Sequence, residues 1–169
     1  VEIARSFLQN PRYKRGLVVA SETTSWRARP HSKATLVFGD AAGAWVVERD
    51  AGRGHQLVDV ELGTDGRYFD AMEMNAEGHT VTHIPQKELQ ALATRSFQEA
   101  TAAVLGRHGL TLDDVDYVVP HSGTAGIQAL LLRVLDLPPE RVLTNFPSIG
   151  NVSSAAIPTA LEAYLADGT

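Results

Sequence analysis

The stretch Leu143-Thr144-Asn145-Phe146-Pro147-Ser148-Ile149-Gly150-Asn151-Val152-Ser153-Ser154-Ala155-Ala156 reads as three pieces in succession. An apolar strand end comes first, then a loop interrupted by Pro147 and Gly150, then the start of a helix predicted from about Ser153 to Ala166. Pro158 falls early enough in that helix to be only mildly disruptive. Asp116-Tyr117-Val118-Val119-Pro120-His121-Ser122-Gly123 has the same design, with a strand at Tyr117 to Val119 and a helix through Ile127 to Leu135. The Pro138-Pro139 pair breaks the chain before another strand at Arg141 to Thr144. Strands alternating with helices predict an α/β layered fold around a largely buried sheet. His121 and Asn145 then follow the carboxyl ends of two strands, where open α/β sheets tend to place ligands.

Working outward, the residues from Gln86 to Gly106 carry one apolar stripe, Leu89, Leu92, Ala93, Phe97, Ala100 and Val104, at a period near 3.6, and Gly109 punctuates its end. Asp113, Asp114 and Asp116 form an acidic run that begins a short helical turn after Thr111 and faces water. Upstream, Leu17 to Ala20 is a continuous apolar run of the kind that suits a strand buried on both faces. Strands are also predicted at Ala34 to Phe38 and Ala44 to Val47, around a turn Gly39-Asp40-Ala41-Ala42-Gly43, and at Gln56 to Leu62. Val1 to Leu8 has helical spacing and stops before Pro11, but no capping residue precedes it, so the chain is expected to begin inside an element of a longer protein.

Of 169 residues, 44% are hydrophobic and 21% charged, enough to bury a core in one domain or a large piece of one. The net charge of -5 argues against a nucleic-acid partner and for small molecules or proteins. No apolar run approaches the roughly 18 residues that span a bilayer, and Val1 to Asn10 lack a secretory pattern, so a cytoplasmic location is expected. There is no cysteine, which excludes disulfides, thiolate metal sites and a thiol nucleophile within these residues.

His121 sits at a strand end beside Pro120 and Gly123, where small residues leave the backbone open to a ligand. Pattern alone leaves two readings, a catalytic imidazole and a hydrogen-bonded structural one. Three motifs add to this. Gly39-Asp40-Ala41-Ala42-Gly43-Ala44 is similar to the Gly-Asp-Gly-Ala-Gly-Ala turn of the β-ketoacyl-acyl carrier protein synthase III enzymes. Asp116 to His121 resembles their strand leading into the catalytic His, and Gly150-Asn151-Val152-Ser153-Ser154-Ala155-Ala156 resembles their Gly-Asn-Thr-Ser-Ala-Ala segment. The three occur in family order, and the weaker similarity between them runs from about Ile3 to Gly168.

The resemblance implies a thiolase-like α-β-α-β-α layered fold, incomplete here. Residues 1–50 would end its N-terminal half, and 51–169 would form a C-terminal half lacking its last strand. It implies decarboxylative condensation of an acyl thioester with a malonyl thioester, with His121 and Asn151 catalytic and the acylated cysteine upstream of Val1. An imidazole N–H and a carboxamide N–H are suitable donors to the oxyanion of the enolate, and the last helix is expected to aim unsatisfied N–H groups at the same pocket. Trp26, Phe146 and Gly150 are the expected substrate-binding residues, although Trp26 could equally pack under a loop. No metal or prosthetic group is expected; coenzyme A or phosphopantetheine thioesters enter as substrates. An acyl carrier protein is a possible partner, and pairing into a homodimer or heterodimer is implied.

Two departures stand out. After its His the family commonly has Gln-Ala-Asn and then an Arg associated with carrier docking, where this chain has Ser122-Gly123-Thr124 and then Gly126. Arg12, Lys14, Arg15, Arg27, Arg29 or Lys33 could substitute in binding a carrier, or a coenzyme A thioester could replace it. The departure suits specialised secondary metabolism. Alternatives are a related acyltransferase to a hydroxyl or amine, with His121 as general base, and a non-catalytic partner subunit. His79 and His83 have helical metal-ligand spacing, but the β-branched Thr80, Val81 and Thr82 between them argue against a site. Gly39 and Gly43 need no phosphate ligand, since close approach of strands explains them.

Overall fold

The computed structural model describes residues 1–49, 52, 54–121 and 123–166. The domain boundary drawn between residues 50 and 51, Ser122 and Gly168 lie outside the described residues. Helix α1 (Glu2–Leu8) buries Leu8 and closes an Arg5–Glu2 ion pair on its outer side. It leads into β1 (Arg15–Thr23), which pairs antiparallel with β2 (Asp40–Glu48) from Arg15 opposite Glu48 to Thr23 opposite Asp40. A short hairpin, β3 (Met72–Met74) and β4 (Thr80–Thr82), precedes the long α2 (Gln86–Arg107). Three more helices follow, α3 (Ala125–Leu135), the single-turn α4 (Phe146–Ile149) and α5 (Ala156–Ala166).

The core lies between the inner face of β1–β2 and the entry to α5. Val152 and Ala155 are fully buried there, with Ala156 beside them, and Ala20, Ala41 and Ile149 pack against the cluster. Close approach explains Gly43 as expected, because a Cβ there would lie 2.8 Å from the Pro158 ring. Pro158 is thus accommodated in the first turn of α5 by a glycine on the facing strand.

The helices follow the sequence pattern closely. Thr124 caps α3 by accepting from the Ile127 N–H at 3.2 Å, and Thr111 forms a reciprocal capping box with Asp114 on the turn Leu112–Asp114. The strands do not. Leu17 to Ala20 is not buried on both faces: Leu17 is 67% and Val19 61% exposed, since the two-stranded sheet has a packing layer on one side alone among the described residues. Ala34 to Phe38 forms a 3₁₀ turn, Lys33–Leu36, before Phe38 makes an isolated bridge to Asn151. The expected turn from Gly39 to Gly43 is extended from Asp40 onward, as the first half of β2. Gln56 to Leu62 finds no strand to pair with and is instead tied to the end of α2, where Arg107 donates to Asp59 at 2.8 Å and Glu61 at 2.5 Å. The runs at Tyr117 to Val119 and Arg141 to Thr144 do lie side by side in parallel, but through a single bridge between Val118 and Val142. A largely buried sheet is therefore absent among the described residues.

Candidate active site

Asn151 is held first by its backbone. Its N–H donates to the Val37 carbonyl at 2.7 Å, its carbonyl accepts from the Gly39 N–H at 3.0 Å, and the Thr24 hydroxyl is shared between the Gly39 carbonyl and the Asn151 carbonyl, the latter at 2.8 Å. Two glycines permit this approach. A Cβ on Gly39 would overlap the Ile149 carbonyl oxygen, and one on Gly150, whose φ is +74°, would lie 2.5 Å from the Val37 oxygen. The family-like turn at Gly39 and the Gly150-Asn151 pair are thus two sides of one contact.

The Asn151 side chain is then oriented by two hydrogen bonds. Its Oδ1 accepts from the Ser153 N–H at 3.0 Å, and its Nδ2 donates to the Gly123 carbonyl at 3.1 Å. These set oxygen and nitrogen unambiguously, with the amide nitrogen facing the His121 loop. His121 meets it there: the point that a Gly123 Cβ would occupy is 3.7 Å from His121 Nε2 and 4.0 Å from Asn151 Nδ2. Both nitrogens therefore border one small space beside Gly123. Gly123 keeps that space open.

His121 is exposed by surface area, yet partial desolvation of its ring holds the imidazole pKa below its usual value, opposed in part by hydrogen bonding to the Ser153 backbone. At neutral pH the ring is uncharged and carries a single N–H, so His121 is a donor to the space beside Gly123 in the tautomer with that proton on Nε2. The expectation that the last helix aims free N–H groups at the pocket is not met. The Ser153 N–H is taken by Asn151, and the Ser154 N–H by Glu22 Oε1 at 3.3 Å.

The other expected residues are placed apart from this pair or beside it. Gly150 adjoins Asn151 as the backbone hinge, and the half-buried Phe146 opens α4. Trp26 stands 80% exposed on the turn Thr24–Arg27. Asn145 is structural, with its Nδ2 donating to Thr159 Oγ1 on α5 at 3.0 Å. Among the basic residues considered for a carrier, Arg15 pairs with Glu48 at 2.8 Å and Arg27 lies on the Met74 sulfur. The His79 and His83 pair is divided by strand β4, so helical spacing does not apply, and His83 bonds Glu73 at 2.9 Å. The sequence reading of Gly123 as a residue that leaves the His121 strand end open agrees with its place beside both nitrogens, whereas Thr24 and Glu22 carried no signal as parts of the site.

Comparison with known proteins shows the family and the fold. Residues 1–66 match the family model described as 3-oxoacyl-[acyl-carrier-protein (ACP)] synthase III, and residues 105–169 match the model of that family's C-terminal part. The chain belongs to the 3-oxoacyl-acyl carrier protein synthase III family. It is similar to the beta-ketoacyl-acyl carrier protein synthase III of Laribacter hongkongensis, at 31% identity over 98% of this chain and 54% of the relative. A synthase III of Halalkalibacterium halodurans is 35% identical over 97% and 52%. The crystal structure of 3-oxoacyl-acyl carrier protein synthase III from Aquifex aeolicus superposes with a TM-score of 0.89 at 30% identity, covering 99% of this chain and 54% of that one. The priming beta-ketosynthase of the R1128 polyketide pathway gives 0.79 at 25% identity, covering 98% and 53%. The fold is thus the thiolase-like fold that the motifs imply, in part, and the chain spans about half the length of the relatives it matches.

Proposed function

We propose that this chain carries the enolate-stabilising half of a condensing site that joins an acyl thioester to a malonyl thioester with loss of carbon dioxide. The observation that carries this reading is the convergence of His121 Nε2 and Asn151 Nδ2 on the space beside Gly123. As the malonyl carbon–carboxylate bond breaks, its electron pair moves toward the thioester carbonyl, whose oxygen takes up charge. The two neutral N–H groups face that oxygen. The enolate carbon then attacks the acyl carbonyl and expels a thiolate. These 169 residues contain no cysteine, so in this reading the acyl-bearing thiol belongs to chain outside them and the 169 residues alone are inactive.

Coenzyme A or phosphopantetheine thioesters are substrates in this proposal, with no metal or prosthetic group required. An acyl carrier protein and a second subunit, identical or related, are the proposed partners. The separate matches to residues 1–66 and 105–169 support a division into the end of one thiolase-like half and the bulk of the other. Among the described residues no helix is long and apolar enough to cross a membrane, and a cytoplasmic site of action is part of the proposal.

The test uses the complete subunit. Asn151→Ala should slow decarboxylation of a malonyl thioester by about 10²–10³-fold, the usual cost of one oxyanion donor, while formation of the acyl-enzyme stays near normal. Carbon dioxide release and intact mass report the two steps separately. Loss of acylation, or decarboxylation at the original rate, would overturn the reading.

A further inference from the structure

Asn151 is followed by a backbone conformation that needs holding. Ser153 has φ of +50°, in the left-handed region that a residue bearing a Cβ occupies only at a cost. The strained residue supplies the N–H that orients Asn151 Oδ1, so relaxing it would release the carboxamide. Three features border this turn. Val152 is fully buried before it, Thr24 holds the Asn151 carbonyl, and Glu22 reaches Ser154 after it. Glu22 lies at the carboxyl end of β1 and Thr24 directly follows it, so one strand end and the turn after it grip both sides.

Glu22 is the charged member of the grip. Its Oε1 accepts from both the N–H and the hydroxyl of Ser154. The side chain is half-buried on the inward-facing side of β1, in line with Val18 and Ala20. Ser154 and, more weakly, Ser153 and Arg27 stabilise the carboxylate and hold its pKa below the ordinary value. A charge-assisted pair of hydrogen bonds to adjacent atoms of one residue is a directional anchor.

We infer that Glu22 is a positioning residue of the condensing site, acting through Ser154 to keep the strained Asn151-to-Ser154 turn closed and the Asn151 amide nitrogen facing His121. The carboxylate touches no reacting atom. It acts through Ser154, then Ser153, then Asn151 Oδ1. The inference rests on the proposed condensing function for its catalytic consequence, but the anchor itself is a property of the fold.

Four variants of the complete subunit test it: Glu22→Ala, Glu22→Gln, Ser154→Ala, and the double variant Glu22→Ala with Ser154→Ala. Hydrogen exchange resolved over residues 150–156 reads the anchor; malonyl-thioester decarboxylation and acyl-enzyme formation read the chemistry. Glu22→Ala should speed exchange at Ser153 and Ser154 and lower decarboxylation roughly tenfold to hundredfold, with acylation unchanged, as for a displaced donor. Glu22→Gln retains a carbonyl acceptor and should recover most of both. The double variant should be no worse than Glu22→Ala, because Glu22→Ala already removes both the backbone and the hydroxyl bond to Ser154. Native exchange in Glu22→Ala overturns the anchor, and so does a double variant whose losses multiply. Faster exchange with undiminished decarboxylation overturns the positioning role. If the wild-type subunit does not decarboxylate malonyl thioesters, the functional proposal fails instead, and exchange alone then judges the anchor.

Discussion

The two faces of the β1–β2 pair are built to opposite standards. On the inner face, Ala20 and Ala41 press on Val152 and Ala155, which expose nothing, and Gly39 and Gly150 stand so close to the neighbouring backbone that neither has room for a methyl group. On the outer face, Leu17, Val19 and Val46 are each more than 60% exposed although all three are aliphatic. Burying each of them would stabilise the fold by about 1.5–3 kcal/mol. The inner face is therefore finished and the outer one is not among the described residues. Small residues are used where the backbone itself must approach Asn151, and bulky apolar ones where no such approach occurs.

The largest break in this contrast should come from Gly39→Ala. The new methyl group would drive β2 from the Ile149 carbonyl and carry Asn151 with it, with an expected loss of about 3 kcal/mol or more. Gly63→Ala meets nothing within 4 Å and should stay within about 0.5 kcal/mol of the parent. Urea midpoints at unchanged m would measure both. A Gly39→Ala protein as stable as Gly63→Ala would mean that the tight approach is not required.

A smaller effect compares the faces directly. Val152→Ala removes methyl groups from a site with no exposure and should cost about 1–3 kcal/mol. Val19→Thr, on the outer face, should fall within about 0.5 kcal/mol in the 169-residue chain. In the complete subunit the Val19→Thr cost should rise if that face is covered there. An equally small cost in both would show that the outer face stays open to water.

Helices proved legible, and of the expected strands only those within β1 and β2, for a physical reason. A helix satisfies its backbone within its own sequence, so the stripe from Leu89 to Val104, the Thr111 box and the Thr124 cap could be read locally. A strand exists by pairing with a partner. Gln56 to Leu62 and Ala34 to Phe38 have strand composition, but no ladder reaches them among the described residues. The site was legible where it used motif residues, His121, Asn151 and the close-packed Gly39. Glu22 was not, since its link to Ser154 joins residues 132 positions apart and leaves no local pattern. Nor could sequence foresee that the N–H groups at Ser153 and Ser154 are already engaged.

The smallest expected effect is on pH dependence, at the junction of the finished face with open solvent. Desolvation lowers the His121 pKa in the folded protein below the ordinary 6.5, so near and below that value the unfolded chain binds the proton more readily than the folded one. Stability contributed by the neutral ring is then complete above pH 6.5 and declines as pH falls from 6.5 toward the lowered value; below that, no further loss arises from this group. His121→Gln keeps a polar side chain but cannot titrate, so its urea midpoint should fall less steeply than the parent's across that window and run parallel to it above pH 7. The exposed edge of the ring limits the difference, which is why it ranks last. A parent midpoint that rises relative to His121→Gln on acidification would mean that the folded protein favours the imidazolium. The neutral-donor role beside Asn151 would then be lost, and with it the physical basis for placing the enolate oxygen between the two side chains.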